Sequence, residues 1–130
     1  MYDMMNVRQL FIKFMDLLNK KCVPCEGGTA PLTGERTAEY FQALTGWQVV
    51  QEKELVKEYQ CKDFAEALAF VNAVGTIAEA EGHHPDINLH SWNKVVVTLS
   101  THAIGGLSIN DFILAAKIDA VKGEKFPTIT

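Results

Sequence analysis

Nowhere does this chain carry an apolar run approaching the roughly 18 to 20 residues that cross a bilayer as a helix. A membrane-spanning helical protein is therefore not expected. Basic charge is also short: 12 lysines and arginines stand against 16 aspartates and glutamates, for a formal net charge of −4. With no cluster of lysine and arginine interleaved with aromatics, the footprint that direct nucleic-acid binding needs is missing. Cysteine is scarce and odd in number, three in 130 residues, which fits a reducing compartment and not a disulfide scaffold. No uninterrupted apolar stretch followed by a small-residue cleavage site stands near the N-terminus, so no secretory leader is expected. Cytoplasm is the expected location, with an organelle interior as the alternative. There is no internal repeat and no low-complexity segment.

What is present suits one globular domain: 48% hydrophobic residues and 22% charged ones, enough apolar material for a core without staples. Met4, Val7, Leu10, Phe11, Phe14, Met15 and Leu18 recur at spacings of three and four, the stripe of an amphipathic helix. In the same region Arg8, Lys13, Lys20 and Lys21 outnumber Asp3 and Asp16, a faint likeness to an organelle-targeting segment. A helix packing on the domain or on a second subunit is the simpler reading. Residues 22–33 mix cysteine, proline and glycine without periodicity and read as an arm. We divide the chain accordingly into a helix and arm, residues 1–31, and a principal domain, residues 32–130.

Thr33 offers an N-cap for a short helix reaching about Leu44, stopped by Gly46. Residues 47–51 and 54–60 read as a hairpin. Asp63-Phe64-Ala65-Glu66 has the form of a capping box. The long helix it opens carries a stripe of Phe64, Leu68, Val71, Gly75 and Ala78, widened by Ala67, Val74 and Ile77. Pro85 forbids further helix. Residues 86–92 and 94–101 alternate as a second hairpin. Gly105-Gly106 breaks the chain, and Ser108-Ile109-Asn110-Asp111 opens a last helix to about Val121. The order is a helix, an arm, then α-β-β-α-β-β-α. It predicts an α+β two-layer sandwich, a four-stranded antiparallel sheet with helices on one face.

The chemistry-bearing stretch is Glu79-Ala80-Glu81-Gly82-His83-His84-Pro85-Asp86, with His102 at the end of the second hairpin. Histidine gives and takes protons near neutral pH. Glu79 and His83, four apart, would share a helix face, so Glu79 is expected to orient that ring. If the hairpin folds back, His83, His84 and His102 line one cleft. Three imidazoles could also hold zinc with an open fourth position, but the spacing that puts two histidines on one helical face is absent. Cys22-Val23-Pro24-Cys25 follows a helix instead of opening one, the wrong context for a thioredoxin-like thiol, and with only Cys61 remaining it lacks the ligands of a zinc knuckle. A structural role is favoured. Asp111 reads first as a helix cap. Trp92 at a hairpin turn could stack on a flat ligand or simply pack, and His90 reads as a solvated or interface residue.

Glu79-x-x-x-His83-His84-Pro85, then Thr98-Leu99-Ser100-Thr101-His102, then Gly106-Leu107-Ser108 and Asp111 resemble the signature of the pterin-4a-carbinolamine dehydratases. The resemblance covers about residues 32–121. It implies a four-stranded α+β sandwich assembled as a homodimer or homotetramer. The implied reaction is loss of water from a 4a-hydroxytetrahydropterin to give the quinonoid dihydropterin, with no metal and no redox cofactor. This would recycle the pterin used by an aromatic amino acid hydroxylase, the implied functional link. By match to the motif, His83, His84 and His102 are the expected catalytic residues. Glu79, Pro85, Asp86, Thr101 and Asp111 are the expected orienting and substrate-binding ones. Animal members carry an aromatic residue two positions after the motif proline, where this chain has Ile87. Two rival functions remain at this point. One is a non-catalytic dimerisation cofactor of a partner protein, a second role that animal members have. The other is a three-histidine metal hydrolase.

Overall fold

A computed structural model describes residues 6–23 and 30–127. Met4 of the first stripe, and Pro24 and Cys25 of the cysteine pair, lie outside the described residues. The elements are α1 (Val7–Asn19), α2 (Gly34–Phe41), β1 (Gln48–Val50), β2 (Glu54–Gln60), α3 (Phe64–Glu81), β3 (Asp86–His90), β4 (Lys94–Leu99) and α4 (Ile109–Lys125). A single 3-10 turn, His102–Ile104, joins β4 to α4. The four strands form one antiparallel sheet in the order β1-β2-β4-β3. The α+β architecture is the expected one.

Period-two alternation divides the sheet into two faces. Leu55, Tyr59, Val95, Val97 and Leu99 are buried and join the core with Phe70, Val74, Phe112 and Ile113. Their neighbours Glu58, Val96 and Thr98 stay more open. Register sets this choice, because Leu55 pairs with Leu99 and Tyr59 with Val95 across the β2–β4 ladder. Both hairpins close through residues at positive φ that are not glycine: Gln51 and Glu52 in the first, Ser91 and Trp92 in the second. Left-handed conformations at consecutive turn positions match the twist of the flanking strands, which offsets their cost in residues with a Cβ.

Helix α4 is the centre of the helical layer. Phe112, Ile113, Leu114, Ala115, Ala116 and Ile118 are all buried, and α1, α2 and α3 each pack against it. A helix apolar around most of its girth is one enclosed on most sides. Each large side chain buried here contributes about 1.5–3 kcal/mol by removal from water.

Three local expectations shift. Helix α3 buries Ala67, Phe70, Val74 and Ala78, whereas Phe64 and Leu68 are 50% and 46% exposed. The helix carries two apolar stripes, and the one bearing Phe70 wins because that ring packs edge-on against Tyr59 at 4.9 Å. Helix α1 buries Leu17, while Val7, Phe11, Ile12 and Met15 are exposed. Capping also differs. Ser108 and Asp111 form a reciprocal box as expected. Asp63 accepts from the Glu66 amide without a return bond, and Asn6 with Gln9 makes an unforeseen box at the start of α1.

Candidate active site

Helix α3 ends at Gly82, whose φ of 65° only glycine adopts freely. The His83 amide then reaches back to the Ala78 carbonyl at 3.2 Å. This tight stop swings His83 off the helix axis toward α4, and Pro85 starts the extended chain of β3. At the far end of β4 the Thr101 amide donates to the Gly106 carbonyl at 2.8 Å. That bridge closes a short loop from which His102 projects. Gly106 cannot carry a side chain, since a Cβ there would stand 2.8 Å from the Pro31 Cβ.

The two halves meet in a cleft of about 360 Å³ lined by His83, His84, Ser100, Thr101, His102 and Asn110, with Val23 and Ala103 as its apolar members. All three expected histidines are therefore brought together, as is Thr101. Pro85 and Asp86 do not line the cleft. Asp86 pairs with Thr98 at the start of β3, and Pro85 acts as the helix stop. Ile87 packs against the core and not toward the cleft.

The carboxylate partners differ from expectation. Glu79 does not orient His83; it meets His84, Oε1 to Nε2 at 2.5 Å. His83 Nε2 instead meets Asp111 Oδ1 at 2.6 Å. Gly82 is the cause: by leaving the helical path one residue early, the chain takes His83 away from the Glu79 face. Asp111 is fully buried, and its other oxygen accepts from the Thr101 hydroxyl at 2.8 Å and the Ser108 amide at 3.0 Å. It is thus both the expected helix cap and the anchor of His83. The His83 side chain is 11% exposed, whereas His84 is 60% exposed and Glu79 80%. His102 is exposed, with no side-chain hydrogen bond to another described residue.

This arrangement can hold one imidazole rigidly and present two others to a bound molecule. A ring whose Nε2–H is given to a buried carboxylate keeps Nδ1 as an acceptor. Among the described residues, no three His, Cys, Asp or Glu side chains gather as a metal-holding group. His83 and His84 each turn Nε2 to a different carboxylate.

Sequence reasoning missed Ser100, Asn110 and Val23 as members of this cleft. Asn110 lies 87 positions from Val23, and no local pattern links them. His90 pairs with Glu58 at 2.8 Å on the open face of the sheet, and Trp92 is 60% exposed at its turn. Cys22 is buried, its thiol pushed up to about 12 by desolvation and then by the Glu81 carboxylate beside it. A thiol so shifted is inert.

The fold is a two-layer α+β sandwich with a histidine–carboxylate cleft between one helix end and one hairpin. The family model for pterin 4 alpha carbinolamine dehydratase matches residues 30–121, and the chain belongs to that family. A relative from Alkaliphilus metalliredigens (strain QYMF), provisionally named for the same activity, is 46% identical over 84% of this chain and 98% of its own. Pterin-4-alpha-carbinolamine dehydratase 2, mitochondrial, of Arabidopsis thaliana is 42% identical over 88% of this chain and 63% of its own. The crystal structure of a transcriptional coactivator/pterin dehydratase from Brucella melitensis is 34% identical, with a TM-score of 0.65 over 70% of this chain and 97% of that one.

Proposed function

We propose that this protein is a hydro-lyase that removes water from a 4a-hydroxytetrahydropterin to give the quinonoid dihydropterin. The observation that carries the reading is the convergence of His83, His84 and His102 on one cleft, with His83 fixed by buried Asp111 at 2.6 Å. In the reaction the C4a–O bond breaks as a proton reaches the leaving hydroxyl. The electron pair on N5 forms the C4a=N5 bond, and the N5 proton passes to a base. One proton is delivered and one removed, so an imidazole pair serves. His84 and His102, the exposed rings, exchange these protons. His83 positions the substrate edge, held by Asp111 and Thr101. Glu79 orients His84. Positioned acids and bases contribute about 10²- to 10⁴-fold in such steps.

The reaction needs neither metal nor redox cofactor. A stopped-flow record of carbinolamine decay, with and without protein, tests the activity; equal rates refute it. Exhaustive chelation should leave the rate unchanged. Stoichiometric zinc whose removal abolishes activity and whose return restores it would establish the hydrolase reading instead.

The physiological setting we infer is pterin recycling beside an aromatic amino acid hydroxylase, in the cytoplasm or an organelle interior. Among the described residues, no helix is long and apolar enough to cross a membrane. The division into a helix and arm, residues 1–31, and a principal domain, residues 32–130, belongs to the same reading. Assembly as a homodimer or homotetramer is part of this reading. It is supported by the open edges β1 and β3 and by exposed Phe11, Ile12, Phe64 and Leu68. Light scattering that reports only a 14.4 kDa species at micromolar concentration would refute the assembly and leave the chemistry standing. Exposed Phe64 and Leu68 on α3 also favour, as a second reading, docking of a partner protein. Retention of such a partner by an inactive histidine variant would test it.

A further inference from the structure

The histidine cleft has an apolar side that acid/base chemistry does not use. Apart from Ala103, the apolar side chain lining it is Val23, from the chain that leaves α1. The other side chains of the lining are polar, and Gly82 has none. A flat heteroaromatic ring needs an apolar surface under one face as well as donors and acceptors at its edge.

Val23 is held there by a built clasp. Its amide donates to Asn110 Oδ1 at 3.0 Å, and the Asn110 side-chain amide donates back to the Val23 carbonyl at 2.5 Å. One buried amide, 2% exposed, thus engages both backbone groups of Val23, as a neighbouring strand would. The preceding residue is tied as well, with the Cys22 amide donating to Glu81 Oε1 at 2.8 Å. Lys117 holds the other Glu81 oxygen at 2.9 Å. With its backbone fixed at both polar groups, Val23, 59% exposed, stands in the lining of the cleft. Asn110 stands next to Asp111, so the same turn of α4 places both the shelf and the His83 anchor. Residue 23 also lies outside the region matched by the family model, residues 30–121.

We propose that Val23 is the apolar shelf against which one face of the flat substrate ring rests, with Asn110 as the residue that positions it. This rests on the pterin reading. A contact made equally by ground state and transition state appears in KM and not in kcat. Val23→Ala should therefore raise KM for the carbinolamine about three- to tenfold, with kcat within twofold of the parent. Val23→Ile should keep KM near the parental value. Asn110→Ala should raise KM comparably, and adding Val23→Ala to it should change little, because both act through one contact. Thermal unfolding checks that each variant is folded; Val23 variants touch an exposed side chain, so they carry the test if Asn110→Ala does not fold. A parental KM in folded Val23→Ala overturns the shelf, as does a fall in kcat at constant KM. A parent protein inert toward the carbinolamine overturns the pterin reading itself, and the shelf with it. An active parent with unchanged KM in Val23→Ala overturns the shelf alone.

Discussion

Helix α4 carries two aspartates eight positions apart, Asp111 and Asp119, and their surroundings differ in one decisive respect. Asp119 accepts from Trp47 Nε1 at 3.0 Å, Lys57 Nζ at 2.8 Å and the Tyr59 hydroxyl at 2.5 Å. Burial and the neighbouring carboxylate push the Tyr59 hydroxyl far above its ordinary range, so that donor keeps its proton. Lys57 also donates to the Thr45 carbonyl at 2.7 Å and lies 4.8 Å from the Tyr59 ring centroid. Every one of these three partners of Asp119 is a donor, and the cluster ties β2 and the chain entering β1 to α4. Asp111 is bonded by an amide, a hydroxyl and an imidazole. Of these partners only the imidazole is of the side-chain type used for general acid/base chemistry, and it borders an open cleft. The same device, a carboxylate under a layer of donors, is a structural tie in one place and the base of a candidate site in the other. A cavity of about 570 Å³, larger than the histidine cleft, borders the Asp119 cluster and α1. In it Lys57, Tyr59, Asp119 and the Thr45 carbonyl are already paired with one another, so size does not mark the chemistry.

The largest effect expected from breaking this contrast is on turnover. His84→Ala or His102→Ala should slow carbinolamine dehydration by about 10²-fold or more while thermal unfolding stays near the parent. If both single variants match the parental rate in stopped flow, the site is wrongly assigned.

Breaking the other half should do the reverse. Asp119→Ala strands Lys57 and Tyr59 without their acceptor. It should cost about 3 kcal/mol of stability, on the order of 10 °C in Tm for a domain of this size. Activity per folded molecule should not change. Urea unfolding that matches the parent would show the cluster to be dispensable.

A smaller effect concerns the clasp on Val23. Burial acts to raise the Glu81 carboxyl, but the Cys22 amide and Lys117 outweigh it and hold the group below the usual value of 4.5. A carboxylate depressed in the folded state contributes stability that is present above its unfolded pKa and lost as pH falls through the folded one. Parent and Glu81→Gln should therefore differ at pH 7, by about 1–2 kcal/mol for two charge-assisted bonds. They should converge as pH drops below 4.5. A difference independent of pH between 7 and 3 would show that Glu81 acts without its charge. The smallest effect is kinetic: with its pKa near 12, Cys22 should resist iodoacetamide at pH 8 until the protein unfolds. Peptide mapping that finds Cys22 alkylated at the rate of a free thiol would contradict its burial beneath the clasp.

Much of the fold was legible because its signals are local. Alternation in β2 and β4, the stop at Gly82 and Pro85, and the Ser108–Asp111 box each act within a few residues, and each stands where expected. Periodicity failed where two solutions coexist on one helix. Helix α3 presents Phe64 and Leu68 on one stripe and Phe70 and Val74 on another, and only the sheet beneath decides which is buried. In α1 the same ambiguity left Leu17 outside the expected stripe. The three histidines were visible as a constellation, since a hairpin returning on itself must bring His102 toward His84.

What the sequence determined by itself was the order of elements, the break that frees His83 and His84, and the chemistry available to them. Helix caps, turn residues and side-chain alternation need only neighbours in the chain. What the tertiary structure alone decided was pairing. His83 found Asp111 across 28 positions and not Glu79 across four, and Val23 found Asn110 across 87. Asp119 gathered donors from 60, 62 and 72 positions away. These choices follow from packing α4 between the sheet and the other helices. That packing sets which buried carboxylate lies within reach of which donor, and a buried polar group takes the partner within reach because leaving it unpaired costs more than any local preference.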